Sequence, residues 1–329
     1  MKLATLREGG RDGTLIVVSR DLSRAVRADG LAATLQWALE NWSAVADALA
    51  ELSVALNEDR AEGWFELDVA ALAAPLPRAY QFLDGSAYLA HVERVRRARG
   101  AEMPPSFRTD PLMYQAASDG FLPPVGTIPA VSEEHGIDFE AEVVVITDDV
   151  PMGTDAAAAA GHVRLIGLVN DVSLRNLIPA ELAKGFGFMQ SKPRSALSPV
   201  VATPDELGDA WTGGKVDLPL TTHYNGELFG HPECAVDMQF GFFELVAHAA
   251  RTRPLAAGTV IGSGTIANED ESLGSSCLAE KRMLEIIADG EAKTPFMRFG
   301  DAVRIEMLDR AGESVFGAIE HIITRHEGS

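Results

Sequence analysis

The chain has 329 residues, 47% of them hydrophobic, enough for one large core or a large domain with a small companion. Lys and Arg number 28 against 48 Asp and Glu, a formal charge of −20, which argues against a surface that holds nucleic acid or anionic lipid. Two cysteines, Cys234 and Cys277, with no CxxC pair and no metal-type Cys/His spacing, exclude a disulfide framework and a zinc knuckle.

The N-terminal stretch MKLATLREGGRDG is broken by charges and lacks a signal peptide's apolar centre. No run approaches the ~20 apolar residues of a membrane span, so the expectation is a cytoplasmic protein with no membrane partner. Residues 2 to 6 and 14 to 19 are apolar runs joined by the turn-rich Gly9 to Gly13 and predict a hairpin. From Leu31 to Asn57, Leu, Ala and Trp recur at three-and-four spacing, predicting one or two amphipathic helices. Ala74-Pro-Leu-Pro77 then breaks the pattern, which places a boundary between a small N-terminal α/β module, residues 1–75, and a larger domain, residues 76–329.

Beyond that boundary, strand-like runs fall at 141–147, 164–170, 198–202, 219–225, 258–266, 282–288, 302–308 and 315–324, and helical ones at 86–99, 173–184 and 240–251. Strands outnumber helices without regular alternation, so the fold class is α+β and β-rich, a mixed roll and not a doubly wound sheet. The basic run Arg94 to Arg99 predicts a charged helix face. The tract Gly185 to Met189 is either core or the wall of a site.

One strand is unusual. IDFEAEVVVI, residues 137 to 146, is apolar apart from Asp138, Glu140 and Glu142. Alternation puts Glu140 and Glu142 on one face with Val144 and Ile146, about 6.6 Å apart at the backbone. Either that face meets solvent, or a hard divalent cation lies between the two acids. Asp171, after the run LIGLVN, is a helix cap or a further oxygen ligand. Asp84 and His91 stand seven residues apart, on one face if that stretch is helical. Gly262-Ser-Gly264 lacks the spacing of a dinucleotide loop, and no GxSxG elbow, Walker loop or HExxH is present.

Taken together and in order, Asp84 to His91, DFEAE at 138–142, VNDVSLR at 169–175, GFMQSK at 187–192 and GSGTI at 262–266 resemble the fumarylacetoacetate hydrolase family over about residues 78 to 325. The resemblance implies a β-roll catalytic domain, a homodimer, and a divalent metal (Mg²⁺, Mn²⁺ or Ca²⁺) that serves to cleave or rearrange small β-diketo or 2-oxo acids. Carried over by position, it implies Asp84, Glu140, Glu142 and Asp171 as metal ligands. His91 is then the base that activates water, Glu280 its orienting partner, and Lys192 the stabiliser of developing negative charge. Tyr114, Arg175 and Thr265 are implied as substrate contacts. Ile178 stands where eukaryotic members carry a substrate-facing glutamine.

The implied activity is hydrolysis of a C–C bond in a β-diketo acid such as fumarylacetoacetate or an acylpyruvate, in aromatic or amino-acid catabolism. Its alternatives are a hydratase, decarboxylase or isomerase of 2-oxo acids on the same site, or a metal-binding dimer without turnover.

Overall fold

The computed structural model of the chain describes residues 1–98 and 104–327. Arg99, the last residue of the basic run and of the expected 86–99 helix, lies outside them; Leu89–Ala98 is helical. No helix among the described residues is long and apolar enough to cross a membrane.

Lys2–Leu6 and Thr14–Val18 form the expected antiparallel hairpin, with Lys2 opposite Val18 and Leu6 opposite Thr14. Leu31 to Asn57 folds as two helices, Leu35–Glu40 and Trp42–Asn57, the first capped by the Thr34 hydroxyl, which accepts from Trp37 N. Their buried stripe of Leu35, Leu39, Val45, Leu49 and Leu56 packs on one face of the main sheet. Lys2 and Leu3 pair antiparallel with Ala202 and Val201, so the sheet runs on unbroken from the N-terminal hairpin into the rest of the chain.

That sheet has the order Phe65–Glu66, Arg24–Arg27, Thr14–Val18, Lys2–Leu6, Val201–Ala202, Val163–Asn170, Ala141–Thr147, Val260–Gly262, Phe82–Gly85, Met113–Ala116. A second sheet runs Glu227–Gly230, Thr221–Tyr224, Ala302–Glu306, Ile319–Arg325, Val125–Ala130. Val143, Val145, Ile166 and Leu168 of the first sheet share one apolar core with Val303, Ile305, Ile319 and Ile323 of the second. On the other face, Val144, Ile146, Leu165 and Val169 pack against the N-terminal helices. The fold is mixed α+β and sheet-rich, and its central strand Ala141–Thr147 is buried on both faces.

Three local expectations are corrected. Residues 282–288 are not a strand but part of the helix Leu278–Asp289. The dense apolar run MLEII suggests a strand, but Ala279, Met283, Ile286 and Ile287 recur at helical spacing, and the helix start is fixed from outside, where Leu278 N and Ala279 N donate to the buried carboxylate of Asp138. Residues 173–184 are not one helix: Ser173–Leu174 pairs with Ile137–Asp138, and the helix Ile178–Lys184 starts only at Ile178, with Pro179 in its first turn. The stretch 137–146 is not one strand either, because it breaks at Phe139 and Glu140, where Glu140 N donates to the Asn170 side chain and its carbonyl accepts from Asp171 N.

Candidate active site

Four neighbouring strands build the site. Phe82–Gly85 runs parallel to Val260–Gly262 with Asp84 opposite Gly262, and Gly262 in turn pairs with Val144 of Ala141–Thr147. Glu142 lies opposite Val169 of Val163–Asn170, so Asp171 follows at that strand's end. Gly262 leaves the gap between two acids: a Cβ there would lie 2.4 Å from Asp84 Oδ1 and 3.0 Å from Glu142 Oε2. Into that gap Asp84, Glu142 and Asp171 converge, one carboxylate oxygen of each within 4.8 Å of the others.

The electrostatics are those of a site that needs positive charge. Asp84, Glu142 and Asp171 are 4%, 0% and 0% exposed. Neither oxygen of Glu142 meets a donor. Burial, then repulsion from Asp84 and Asp171, pushes the Glu142 carboxyl well above the usual carboxylate range, and burial with the charge of Asp171 pushes Asp84 up to about 7. Buried carboxylates without partners cost several kcal/mol, and an all-oxygen acidic set suits a hard cation such as Mg²⁺, Mn²⁺ or Ca²⁺. The buried acidic triad can hold a divalent cation.

Glu140 is placed differently. Its Oε1 accepts from Arg175 Nη2 at 2.7 Å and Thr265 Oγ1 at 2.8 Å, and its Oε2 from Ser173 Oγ at 3.1 Å and from Lys192 Nζ. Burial alone would raise this carboxyl, but Arg175 and Lys192 outweigh it and hold Glu140 well below the usual range. The positive charge beside Glu140 in this structure is therefore that of side chains. Lys192 Nζ also donates to Asp171 Oδ2 at 2.6 Å; burial opposes its charge, and Asp171 with Glu140 more than offsets that, so its pKa is raised.

Of the remaining expected residues all but Glu280 line one cavity of about 420 Å³, whose walls include Asp84, His91, Tyr114, Arg175, Lys192 and Thr265. The Tyr114 hydroxyl donates to Asp171, and the Tyr114 ring lies 5.3 Å from Lys192 Nζ and meets Phe188 edge-on at 4.8 Å. The tract Gly185 to Met189 thus contributes wall at Phe188, while Phe186 is 98% exposed. His91 is half-buried on the helix Leu89–Ala98, its Nδ1 without a partner, and burial draws its pKa down to about 4. No hydrogen bond joins it to Glu280. Glu280 Oε1 instead accepts from Arg94 at 2.6 Å, its Oε2 has no partner, and burial pushes the carboxyl up to about 7 against the pull of Arg94.

Sequence reasoning passes over several residues that shape this site. Asp138, 1% exposed, accepts from Arg175 Nε at 2.8 Å and from two backbone N–H groups of the Leu278–Asp289 helix, so one carboxylate holds both the arginine and the helix. Its signal was in view: it stands two residues before Glu140 in the same stretch. Glu181 accepts from the Ser191 hydroxyl and from Met189 N, Gln190 N and Ser191 N, which aims the turn that delivers Lys192; the hydroxyl first and then the backbone bonds outweigh burial and hold its carboxyl down to about 2. Nothing in the local pattern marks it. Asp138→Ala, which takes from Arg175 one of its two carboxylates and leaves the helix start uncapped, is expected to cost about 3 kcal/mol in urea unfolding. An unchanged midpoint would show that neither partner depends on Asp138.

The chain thus combines a sheet-rich α+β fold with a buried all-carboxylate cluster that can hold a divalent cation, beside a cavity lined by lysine, arginine and histidine. Residues 81–324 match the family model described as fumarylacetoacetate (FAA) hydrolase C-terminal, and residues 1–78 match fumarylacetoacetase N-terminal domain 2. The chain belongs to the fumarylacetoacetate hydrolase family, whose members are enzymes. No curated protein sequence matches it significantly.

Among solved structures, fumarylacetoacetate hydrolase from psychrophilic Exiguobacterium antarcticum is similar at 16% identity and TM-score 0.65, over 99% of this chain and 100% of that one. Maleylpyruvate hydrolase from Sphingobium sp. SYK-6, in complex with manganese (II) ion and pyruvate, is similar at 16% identity and TM-score 0.63, over 99% and 100%. 5-Carboxymethyl-2-hydroxymuconate delta-isomerase from Mycobacterium smegmatis is similar at 17% and 0.61, over 100% of each chain. These likenesses concern the fold, which hydrolases and an isomerase share.

Proposed function

We propose that the chain is a divalent-cation-dependent hydrolase that cleaves a C–C bond in a β-diketo acid of the fumarylacetoacetate or acylpyruvate type. The observation that carries this is a cavity lined by Asp84 and Glu140, a neutral histidine and a paired lysine, with Glu142 and Asp171 converging on Asp84. A divalent cation held by Asp84, Glu142 and Asp171, with Glu140 alongside, supplies Lewis-acid polarisation of a 1,3-dicarbonyl and a fixed orientation for it.

The chain's own residues do the rest. His91, neutral at pH 7, takes a proton from water at a ring nitrogen as the oxygen adds to the distal carbonyl. The C–C bond then breaks and its electron pair passes to the enolate of the 2-oxo acid fragment. Lys192, raised in pKa and fixed between Glu140 and Asp171, offers positive charge where that enolate forms. The imidazolium returns the proton to carbon, and two carboxylic fragments leave. Arg175 and Thr265 orient the substrate carboxylate from the wall, and Tyr114 holds Asp171. Glu280, whose Oε2 and the His91 Nδ1 are both unpartnered on packed helices, steadies the imidazole. A homodimer belongs to this reading, supported by exposed Leu182, Phe186 and Met189 beside the cavity wall.

A 2-oxo acid isomerase, hydratase or decarboxylase can use the same residues, and the missing His91–Glu280 hydrogen bond favours that second reading, because a lone base suffices for proton shuttling at carbon. Product analysis by NMR decides. Cation-loaded protein is incubated with fumarylacetoacetate, an acylpyruvate, a 2-oxo-4-enoic acid and oxaloacetate, with and without chelator. Two carboxylic fragments from a diketo acid, lost on chelation, are expected. A hydrated, isomerised or decarboxylated product would install the second reading, and cation binding without any turnover would leave a non-catalytic metal-binding protein.

A further inference from the structure

The cavity wall is chemically mixed. Beside its acids it carries the apolar side chains Ile178, Leu182, Phe188, Met283, Ile286 and Phe296, and among its lining residues is also Arg282. Arg282 stands on the Leu278–Asp289 helix, half-buried, its guanidinium carbon 4.2 Å from the centroid of the Phe296 ring and its Nη1 donating to the Thr294 carbonyl. Among the described residues no carboxylate pairs with it. The acid one turn on, Glu285, is taken up by Lys293 N, Thr294 N and Thr294 Oγ1. The other cations of the cavity each already carry two carboxylate partners, Arg175 with Asp138 and Glu140 and Lys192 with Glu140 and Asp171, whereas Arg282 carries none among the described residues.

A guanidinium stacked on a ring keeps its plane and its free edge, and that edge matches a carboxylate. Stacking and the Thr294 carbonyl fix Arg282 without neutralising it. A fixed cation beside apolar wall residues, among them the Phe296 ring it stacks on, is suited to a ligand that has both a hydrocarbon part and an anionic end.

We infer that Arg282 is a specificity-determining residue: it selects substrates whose tail, after an apolar spacer, ends in a carboxylate, over those ending in a methyl or an aryl group. This rests on the reading of the cavity as an oxo-acid site, and it narrows that reading to diacids.

The test is equilibrium binding by calorimetry to the Mg²⁺-loaded full chain, with 2-oxo diacids of six to nine carbons, each against the methyl-ended 2-oxo monoacid of equal length. Wild type is expected to prefer one diacid by about tenfold to a hundredfold, the worth of a charge-assisted hydrogen bond. Arg282→Met should erase that preference while leaving the monoacid affinity where it was, which also shows that the fold and the head site are intact. Arg282→Lys, which keeps the charge and loses the fork, should restore part of it. Equal affinity of the paired acids for wild type, or a preference that survives Arg282→Met, would overturn the role of Arg282 while monoacid binding still upholds the oxo-acid site. Failure of both acid classes to bind would overturn the oxo-acid site itself and this inference with it.

Discussion

Glu142→Gln is expected to raise the melting temperature of chelator-treated protein at pH 8 and to abolish the further rise that a divalent cation gives wild type. Glu142 is fully buried, neither of its oxygens meets a donor, and Asp84 and Asp171 crowd it within 4.8 Å. The folded carboxyls of Glu142 and Asp84 are both raised, so the folded chain holds their protons more tightly than the unfolded chain does. Stability from that source is present at low pH and is lost as pH climbs from the ordinary carboxylate range through about 7, where Asp84 titrates.

In chelator, then, wild type should lose stability between pH 5 and pH 8, and Glu142→Gln, neutral throughout, should flatten the loss. With cation the signs reverse. Binding at a hundred times Kd adds about 2.7 kcal/mol to wild type, and removing a charged ligand from a site of three should remove most of that. Turnover should fall by about a thousandfold or more, the order seen when a group that stabilises transition-state charge is deleted. A variant that still gains the full cation-induced rise in melting temperature would take Glu142 out of the cation site.

What the sequence displayed of this architecture is what depends on near neighbours. Alternation along 141–147 put Glu142 on the face of Val144 and Ile146, and it is there, packed against the N-terminal helices' side of the sheet. The solvent-facing alternative was removed by burial on both faces, which depends on layers arriving from residues 35–56 and from 303–323. Asp84, Glu142 and Asp171 meet because four strands align in one register with a glycine between two of them, and no local spacing encodes that register.

Partner choice was harder still. Arg94, seen along the chain as one member of a basic helix face, turns inward to take Glu280, and Lys192 takes two acids at once. The Leu278–Asp289 helix was missed for the same reason: its start is set by Asp138, 140 residues earlier in the chain. Local propensity decides little where a buried carboxylate from a distant strand caps the first turn.

Substituting His91 should separate binding from chemistry. His91→Ala is expected to keep the cation-induced rise in melting temperature, since the imidazole is not one of the three converging ligands, and to lower kcat by about a hundredfold to ten-thousandfold, the usual worth of a positioned base. Burial keeps the imidazole neutral at pH 7, and so able to accept a proton; the charge of Glu140 opposes that shift and those of Arg175, Arg94 and Lys192 add to it. Glu280→Gln provides the contrast. Its Oε1 bond to Arg94 can be kept by an amide oxygen, so any loss in kcat reports on the unpartnered Oε2 and its hold on His91. If the two residues act as one unit, the double variant should be no slower than His91→Ala alone. Additive losses would mean that Glu280 serves the Arg94 pair and the helix packing only, and full turnover in His91→Ala would make the histidine a wall residue and pass the proton transfer to another group in the cavity.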